Sequence, residues 1–138
     1  MLVFKSDSFV VKCETEQLHL VCSKKLESDE FKNGLINALN YAQEFEVKHW
    51  LFDLRETECL EEEEVKCVFE YFLPKLMTSL GTDNFVSLLL SDMCYQKLLS
   101  KVGNSDMRSY NSFIKMNAFC DFEEAVTWLN SQKNKLSV

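Results

Sequence analysis

The hydrophobic pattern centres on a short apolar run, Trp50-Leu51-Phe52, which has charged or polar residues on both sides. The run is too short for a helix and suits a β-strand that is covered on both faces. Amphipathic helical patterns flank it, and a strand between helices is typical of layered α/β folds. We therefore predict a central parallel strand over residues 48–54, with Trp50 and Phe52 on one face and Leu51 on the other.

Other segments also have the composition of β-strands. Residues 17–23 alternate apolar and polar side chains, which favours a half-buried antiparallel strand with His19 on its exposed side. A short acidic turn joins residues 8–13 to this strand, so the two should form a hairpin. Further strands are predicted at residues 2–5, 84–91 and 113–116, the last extending to 119 if a bend intervenes.

The strongest helical pattern covers residues 60–80, with apolar side chains at helical spacing that include Val65 and Phe69. Pro74 lies inside this pattern and should bend or break the helix at about Leu73, because proline lacks the amide hydrogen. Gly81 is suited to end it.

Three other helices are predicted. Two cover residues 27–45 and 92–103, and the last is opened by Asp121 and Glu124, which have the spacing of a capping box. We expect the polar tail at 131–138 to be frayed and residues 104–112 to form a mobile loop. The order of elements is then two or three strands followed by α-β-α-β-α-β-α. This order predicts a single α/β domain over residues 1–138, with a mixed β-sheet that opens with an antiparallel hairpin.

The net charge of −7 argues against several kinds of partner. An acidic protein repels phosphate backbones and anionic lipid surfaces, so we expect neither nucleic-acid nor membrane binding. No apolar run approaches the ~20 residues that cross a bilayer, and the N-terminus lacks the pattern of a signal peptide. A cytoplasmic protein is expected.

The six cysteines are scattered and include no C-x-x-C pair. We predict that all of them are reduced thiols and that no zinc is bound. Neither His19 nor His49 has a carboxylate or cysteine at ligand spacing, so no metal site is predicted. The glycines stand alone rather than in a phosphate-binding pattern. With two histidines in the chain, a histidine-based triad is also not expected, so we predict no catalytic residues and a protein that is not an enzyme.

Residues 56–64 are unusually rich in glutamate. Cation binding is one interpretation. The alternative, which we favour, is that these glutamates lie in the first turn of a helix and interact with its dipole. Successive helical residues cannot all face one ion, and the Asp, Asn and Gly positions of a calcium loop are missing.

Polar residues follow the central strand at its carboxyl end, where α/β proteins commonly engage ligands and partners. Asp53, Arg55, Thr57 and Glu58 form the predicted binding edge. The surrounding glutamates would attract a protein partner with a basic surface.

Several segments together resemble small bacterial proteins of the stage II sporulation protein AA-like (SpoIIAA-like) fold, which is related to STAS domains. They are the opening hairpin, the run Trp50-Leu51-Phe52-Asp53-Leu54-Arg55 before a helix with Phe72-Leu73-Pro74, and the closing segment 121–129. The resemblance implies helices packed mainly on one face of the sheet and a regulatory binding role without a cofactor. Anti-sigma-factor antagonists of this fold carry a phosphorylatable serine after the central strand. This chain has Arg55-Glu56-Thr57-Glu58 there, without the aspartate-serine-serine pattern.

Two functional hypotheses follow. The first is a non-enzymatic regulatory module that acts by protein interaction, like the STAS-type antagonists but without their phosphoserine motif. The alternative is a domain that binds an apolar or anionic metabolite between the sheet and its helices. A positively charged or apolar pocket near Lys97, Lys101 and Arg108 would favour the alternative. The sequence leaves the oligomeric state open, a homo-oligomer included.

Overall fold

The computed structural model describes residues 1–57, 62–102 and 113–136. The described residues form a sheet of six strands: β1 Leu2–Lys5, β2 Phe9–Glu14, β3 Gln17–Cys22, β4 His49–Leu54, β5 Asn84–Leu90 and β6 Ile114–Phe119. Within the same part of the chain, five α-helices accompany them: α1 Ser28–Phe45, α2 Glu62–Lys66, α3 Leu73–Leu80, α4 Asp92–Val102 and α5 Phe122–Leu136. A π-helical segment, Cys67–Phe72, joins α2 to α3 without a break.

The strands lie in the order in which they occur along the chain. Strands β1, β2 and β3 are antiparallel neighbours, and β3, β4, β5 and β6 run parallel to one another. The predicted mixed α/β fold, which opens with an antiparallel hairpin, is therefore confirmed. Strand β4 lies between β3 and β5, as predicted for the central parallel strand.

The two faces of the sheet carry separate cores. Trp50 and Phe52 belong to the larger core, which includes residues of α1, α3 and α4. Leu51 belongs to the smaller core, which is covered by Ala125 and Leu129 of α5. The predicted alternation along β4 is confirmed, and most helices pack on one face. The helices bury large apolar surfaces on both faces of β4. This hydrophobic burial is the main contribution that stabilises a strand in the middle of a sheet.

The prediction of a half-buried β3 with an exposed histidine is wrong. Only 7% of His19 is exposed, because α5 packs over this face of the sheet. The His19 ring contacts Phe122 at the start of α5, and Gln17 Nε2 donates a hydrogen bond of 2.8 Å to Asn130 Oδ1 further along the helix. Gln17 Oε1 lies 3.1 Å from His19 Nε2, so β3 and α5 share a buried polar network. Burial lowers the pKa of His19.

Pro74 changes the helix at the predicted place without ending it. The π-helical segment stops at Phe72, and the Leu73 N–H bonds to the Val68 carbonyl five residues back. The widened turn accommodates a residue that has no amide hydrogen to donate. Gly81 ends α3 with a φ of 72°, as expected of a C-terminal glycine.

The last helix begins as predicted and ends later than predicted. The Glu124 N–H donates to Asp121 Oδ2 at 3.0 Å, which is the expected cap. Fraying from residue 131 is wrong for the described part, because α5 continues to Leu136. Gln132 is buried and Lys133 Nζ donates to the Thr15 carbonyl, so this turn is held by tertiary contacts.

Strand β6 extends to Phe119, the longer of the two predicted ends. The predicted loop at 104–112 lies outside the described residues.

Candidate functional site

Asp53 and Arg55 of the predicted edge form an ion pair at the carboxyl end of β4. Arg55 Nε lies 3.0 Å from Asp53 Oδ1, and Arg55 Nη2 lies 2.8 Å from Asp53 Oδ2. The Arg55 amide also donates to Asp53 Oδ1, at 3.2 Å. A two-pronged pair of this kind fixes the plane of the guanidinium. Hydrogen bonding to Asp53 raises the pKa of Arg55 above its ordinary value.

The guanidinium of Arg55 lies over the ring of Phe122, with 5.6 Å between its central carbon and the ring centroid. This contact places the Arg55 ion pair on the face of the sheet that α5 covers. Arg55 is partly exposed, whereas Asp53 is mostly shielded. The negative charges of Glu56 and Asp121 also act on Arg55. The result is a held, solvent-accessible guanidinium with acidic neighbours.

Thr57 does not join Asp53 and Arg55 in one surface. Only 5% of it is exposed, and its hydroxyl donates to the Leu54 carbonyl at 2.9 Å. Thr57 lies against the opposite face of the sheet, beside Phe52 and Phe72. The predicted edge is thus divided between two faces, and its fourth residue, Glu58, lies outside the described residues.

A cavity of about 200 Å³ lies between the sheet and the helices of the larger core. The strands contribute Phe52, Leu54, Val86, Leu88, Leu90 and Met116 to its wall. The helices and the π-helical segment contribute Val65, Val68, Phe69, Phe72, Leu73 and Cys94, and Thr57 completes the described lining. None of these side chains carries a charge. We call this space the apolar cavity.

Val65 and Phe69 mark the mouth of the apolar cavity. They line it and are also 39% and 46% exposed. Apolar residues at helical spacing are typical of a face that packs on the core, and this expectation is wrong for these two residues, because both are exposed. The apolar stripe of this helix is longer than the core it covers, and this excess is the sequence signal that points to an opening.

No basic side chain is found in the described wall of the apolar cavity. Lys97, named for a charged pocket, is exposed. The side chain of Lys101 and the whole of Arg108 lie outside the described residues. An anionic group inside the cavity would have no described cation to offset its loss of hydration, which is costly for a buried charge.

The glutamate-rich segment has a structural contact in its described part. Glu64 is buried in α2 and accepts a hydrogen bond of 2.8 Å from the hydroxyl of Ser28 in α1. This contact joins the starts of two helices. Among residues 1–57, 62–102 and 113–136, no group of three or more His, Cys, Asp or Glu side chains is arranged to hold a metal ion.

His49 is buried at the start of β4, where its ring stacks on Phe85 with 5.2 Å between centroids. Burial lowers the pKa of His49 to about 4, so the ring is neutral at pH 7. It lies at the end of the strand opposite to Arg55 and Thr57. The ring of His19 faces α5, on the other face of the sheet from the apolar cavity. Neither histidine therefore lies beside the apolar cavity.

The prediction that all six cysteines are free thiols is wrong at Cys94, which is disulfide-bonded. Cys13, Cys22, Cys67 and Cys120 are free. Spacing along the chain identified no local pair, but a disulfide requires proximity in the fold and not in the sequence.

None of the described helices is long and apolar enough to span a membrane. No protein-family model matches this chain, and neither the curated proteins nor the solved structures contain a match.

Proposed function

We propose that this protein is a non-enzymatic binding module that encloses a small, neutral, apolar molecule in the apolar cavity. The observation that carries the proposal is a preformed space of about 200 Å³ whose described wall contains no charged side chain and whose mouth is flanked by exposed Val65 and Phe69. Ligand sites are typically concave and mostly apolar, with few polar groups.

The size of the cavity sets the size of the ligand. An engineered apolar cavity of roughly 150 Å³ stays dry and binds benzene. A space of about 200 Å³ suits a single aromatic ring with a small substituent, or a short aliphatic chain. Small ligands gain at most about 1.5 kcal/mol per non-hydrogen atom and usually much less, so we expect dissociation constants between roughly micromolar and millimolar.

Titration with toluene tests the proposal. We expect toluene to shift the methyl resonances of Leu88 and Met116, which line the cavity. Val68→Phe fills the same space and should abolish binding. Val126→Phe makes the same change in the smaller core, on the other face of the sheet, and should leave binding intact. If toluene does not perturb the cavity methyls, or if Val68→Phe binds it as the native protein does, the proposal is wrong.

The second function that we propose is protein recognition at the Arg55 ion pair, in line with the resemblance to STAS-type regulators. Its support is that Asp53 and Phe122 hold an exposed guanidinium in place. Arginine and aromatic side chains are enriched among the residues that dominate protein interfaces. The nearby negative charges of Glu56 and Asp121 favour a partner with a basic surface. Within that basic surface, the partner would present an acidic or hydrogen-bonding group to Arg55.

A pull-down from the native cell, analysed by mass spectrometry, tests this second function. Arg55→Ala should lose a partner that the native protein retains. Lys115→Ala removes an exposed positive charge from β6 and should retain it. Charge reversal of Glu56 and Glu58 to Lys should slow association with that partner and reduce its salt dependence. Equal recovery by both alanine variants would place recognition elsewhere.

A further inference from the structure

Thr57 carries the only hydroxyl among the described side chains of the apolar cavity. We propose that Thr57 Oγ1 accepts a hydrogen bond from the ligand, so that the cavity selects molecules with one donor group, such as a phenol. The inference rests on the proposed ligand-binding function, and it names the chemical class of the ligand and the residue that discriminates.

The hydrogen-bonding state of Thr57 gives the direction of the bond. A hydroxyl has one hydrogen to donate and lone pairs for two acceptor contacts. The Thr57 hydrogen is committed to the Leu54 carbonyl, 2.9 Å away. What remains at Oγ1 is acceptor capacity alone. Because only 5% of Thr57 is exposed, bulk water has little access to compete for that capacity.

The rest of the described lining offers no side-chain donor. The carbon side chains and the thioether of Met116 have no polar hydrogen. Cys94 is disulfide-bonded, so its sulfur has no thiol hydrogen to donate. A ligand oxygen that can only accept, as in an ether or ketone, would lose its hydration and find no described side-chain donor, which costs free energy. A ligand hydroxyl, in contrast, could donate a hydrogen bond to Thr57 Oγ1.

Three probes of nearly equal shape separate these cases: toluene has no polar group, anisole has an acceptor, and phenol has a donor. Their dissociation constants are measured by calorimetry on the native protein and on Thr57→Val, which keeps the side-chain volume and removes the hydroxyl. A neutral hydrogen bond contributes about 0.5–1.5 kcal/mol, so Thr57→Val should weaken phenol relative to toluene by roughly two- to tenfold. The ratio of the dissociation constants of anisole and toluene should not change.

Thr78→Val is the matched control. Thr78 also donates its hydroxyl to a backbone carbonyl, that of Lys75 at 3.2 Å, but it is exposed and is not part of the cavity wall. The affinities of Thr78→Val for phenol and anisole, each relative to toluene, should equal those of the native protein. Circular dichroism and thermal unfolding establish that both variants are folded.

Toluene binding distinguishes a failure of the proposed Thr57 hydrogen bond from a failure of the ligand-binding function. If toluene binds Thr57→Val as it binds the native protein and the phenol ratio does not change, the role of Thr57 is wrong while the ligand-binding function stands. If toluene binds neither protein, the ligand-binding function itself is wrong. If Thr57→Val weakened anisole binding as much as phenol binding, the inference would also be wrong, because Thr57 would not distinguish a donor from an acceptor.

Discussion

At the scale of single residues, Glu30 shows how one carboxylate ties the first hairpin to the first helix. Ser6 and Ser8 lower the pKa of Glu30 to about 2 through hydrogen bonds to its carboxylate. Two of these bonds come from Ser8, whose amide and hydroxyl lie 2.9 and 2.7 Å from Glu30 Oε1. The Ser8 hydroxyl in turn accepts the Glu27 amide, at 3.1 Å. The loop between β1 and β2 is thereby fastened to the start of α1.

We expect Glu30 to make stability depend on pH between about 4.5 and 2. Its pKa is lower in the folded protein than in the unfolded chain, so its contribution is present above the unfolded pKa and is lost as pH falls through the folded one. The raised pKa of Glu27, caused by its hydrogen bond and charge interaction with Glu30, opposes part of this effect. Glu30→Gln should flatten the dependence of the urea midpoint on pH. Glu44→Gln, an exposed change in the same helix, should preserve it.

The cysteines give a second prediction at this scale. In the native protein, Cys120 is exposed and should react first with a thiol reagent. Cys22 should react last, because burial raises the pKa of its thiol and hides the sulfur. After unfolding without a reductant, fewer than six thiols should titrate, since Cys94 is disulfide-bonded. Six reactive thiols under these conditions would contradict the disulfide.

At the scale of elements, β4 joins the two cores. Phe52 is 2% exposed and packs edge-on against Phe72, with 5.3 Å between ring centroids. Phe52→Ala should lower the free energy of unfolding by about 3–5 kcal/mol, as expected for a buried phenylalanine. Phe45→Ala, at a position 55% exposed, should cost less than about 1 kcal/mol. Denaturant unfolding of both variants measures the difference, and similar losses would contradict the placement of β4.

The cap of α5 matters because this helix alone among the described helices covers the smaller core. Asp121→Ala removes the acceptor of the Glu124 amide and should cost about 0.5–2 kcal/mol. Asp121→Asn keeps a capping oxygen and should recover most of that loss. The measurement is the urea midpoint of each variant, with hydrogen exchange of the α5 amides as a local readout. Equal losses in the two variants would mean that the cap contributes through charge alone.

These elements also show where prediction from sequence succeeds and where it ends. The strand at Trp50 and Phe52 was predictable because alternation and burial are local in sequence. The burial of His19 was not, because it depends on contact with α5, more than a hundred positions later. Pairing of Cys94 is likewise a matter of proximity in space. The burial of Thr57 was not predictable either, because the backbone turns after Leu54 and alternation along the strand no longer determines where the side chain lies.

At the scale of the whole molecule, the apolar cavity is a space that the described side chains do not fill. Protein interiors are usually packed about as densely as organic crystals, so a space of about 200 Å³ is a departure from that density. Its wall combines strands β4, β5 and β6 with α2, the π-helical segment, α3 and α4. Such a volume arises from how whole elements pack against one another, so its size is not predictable from the sequence, although the exposed apolar stripe at Val65 and Phe69 points to its opening.

The same cavity should make the fold sensitive to hydrostatic pressure. Unfolding floods internal voids with water, so the volume of the system falls on unfolding, and pressure favours the unfolded chain. Val68→Phe and saturating toluene each fill the cavity by a different route, and each should raise the pressure at which half of the protein unfolds. Val126→Phe, in the smaller core, should not. A molecule bound in the cavity would then make the fold more resistant to compression.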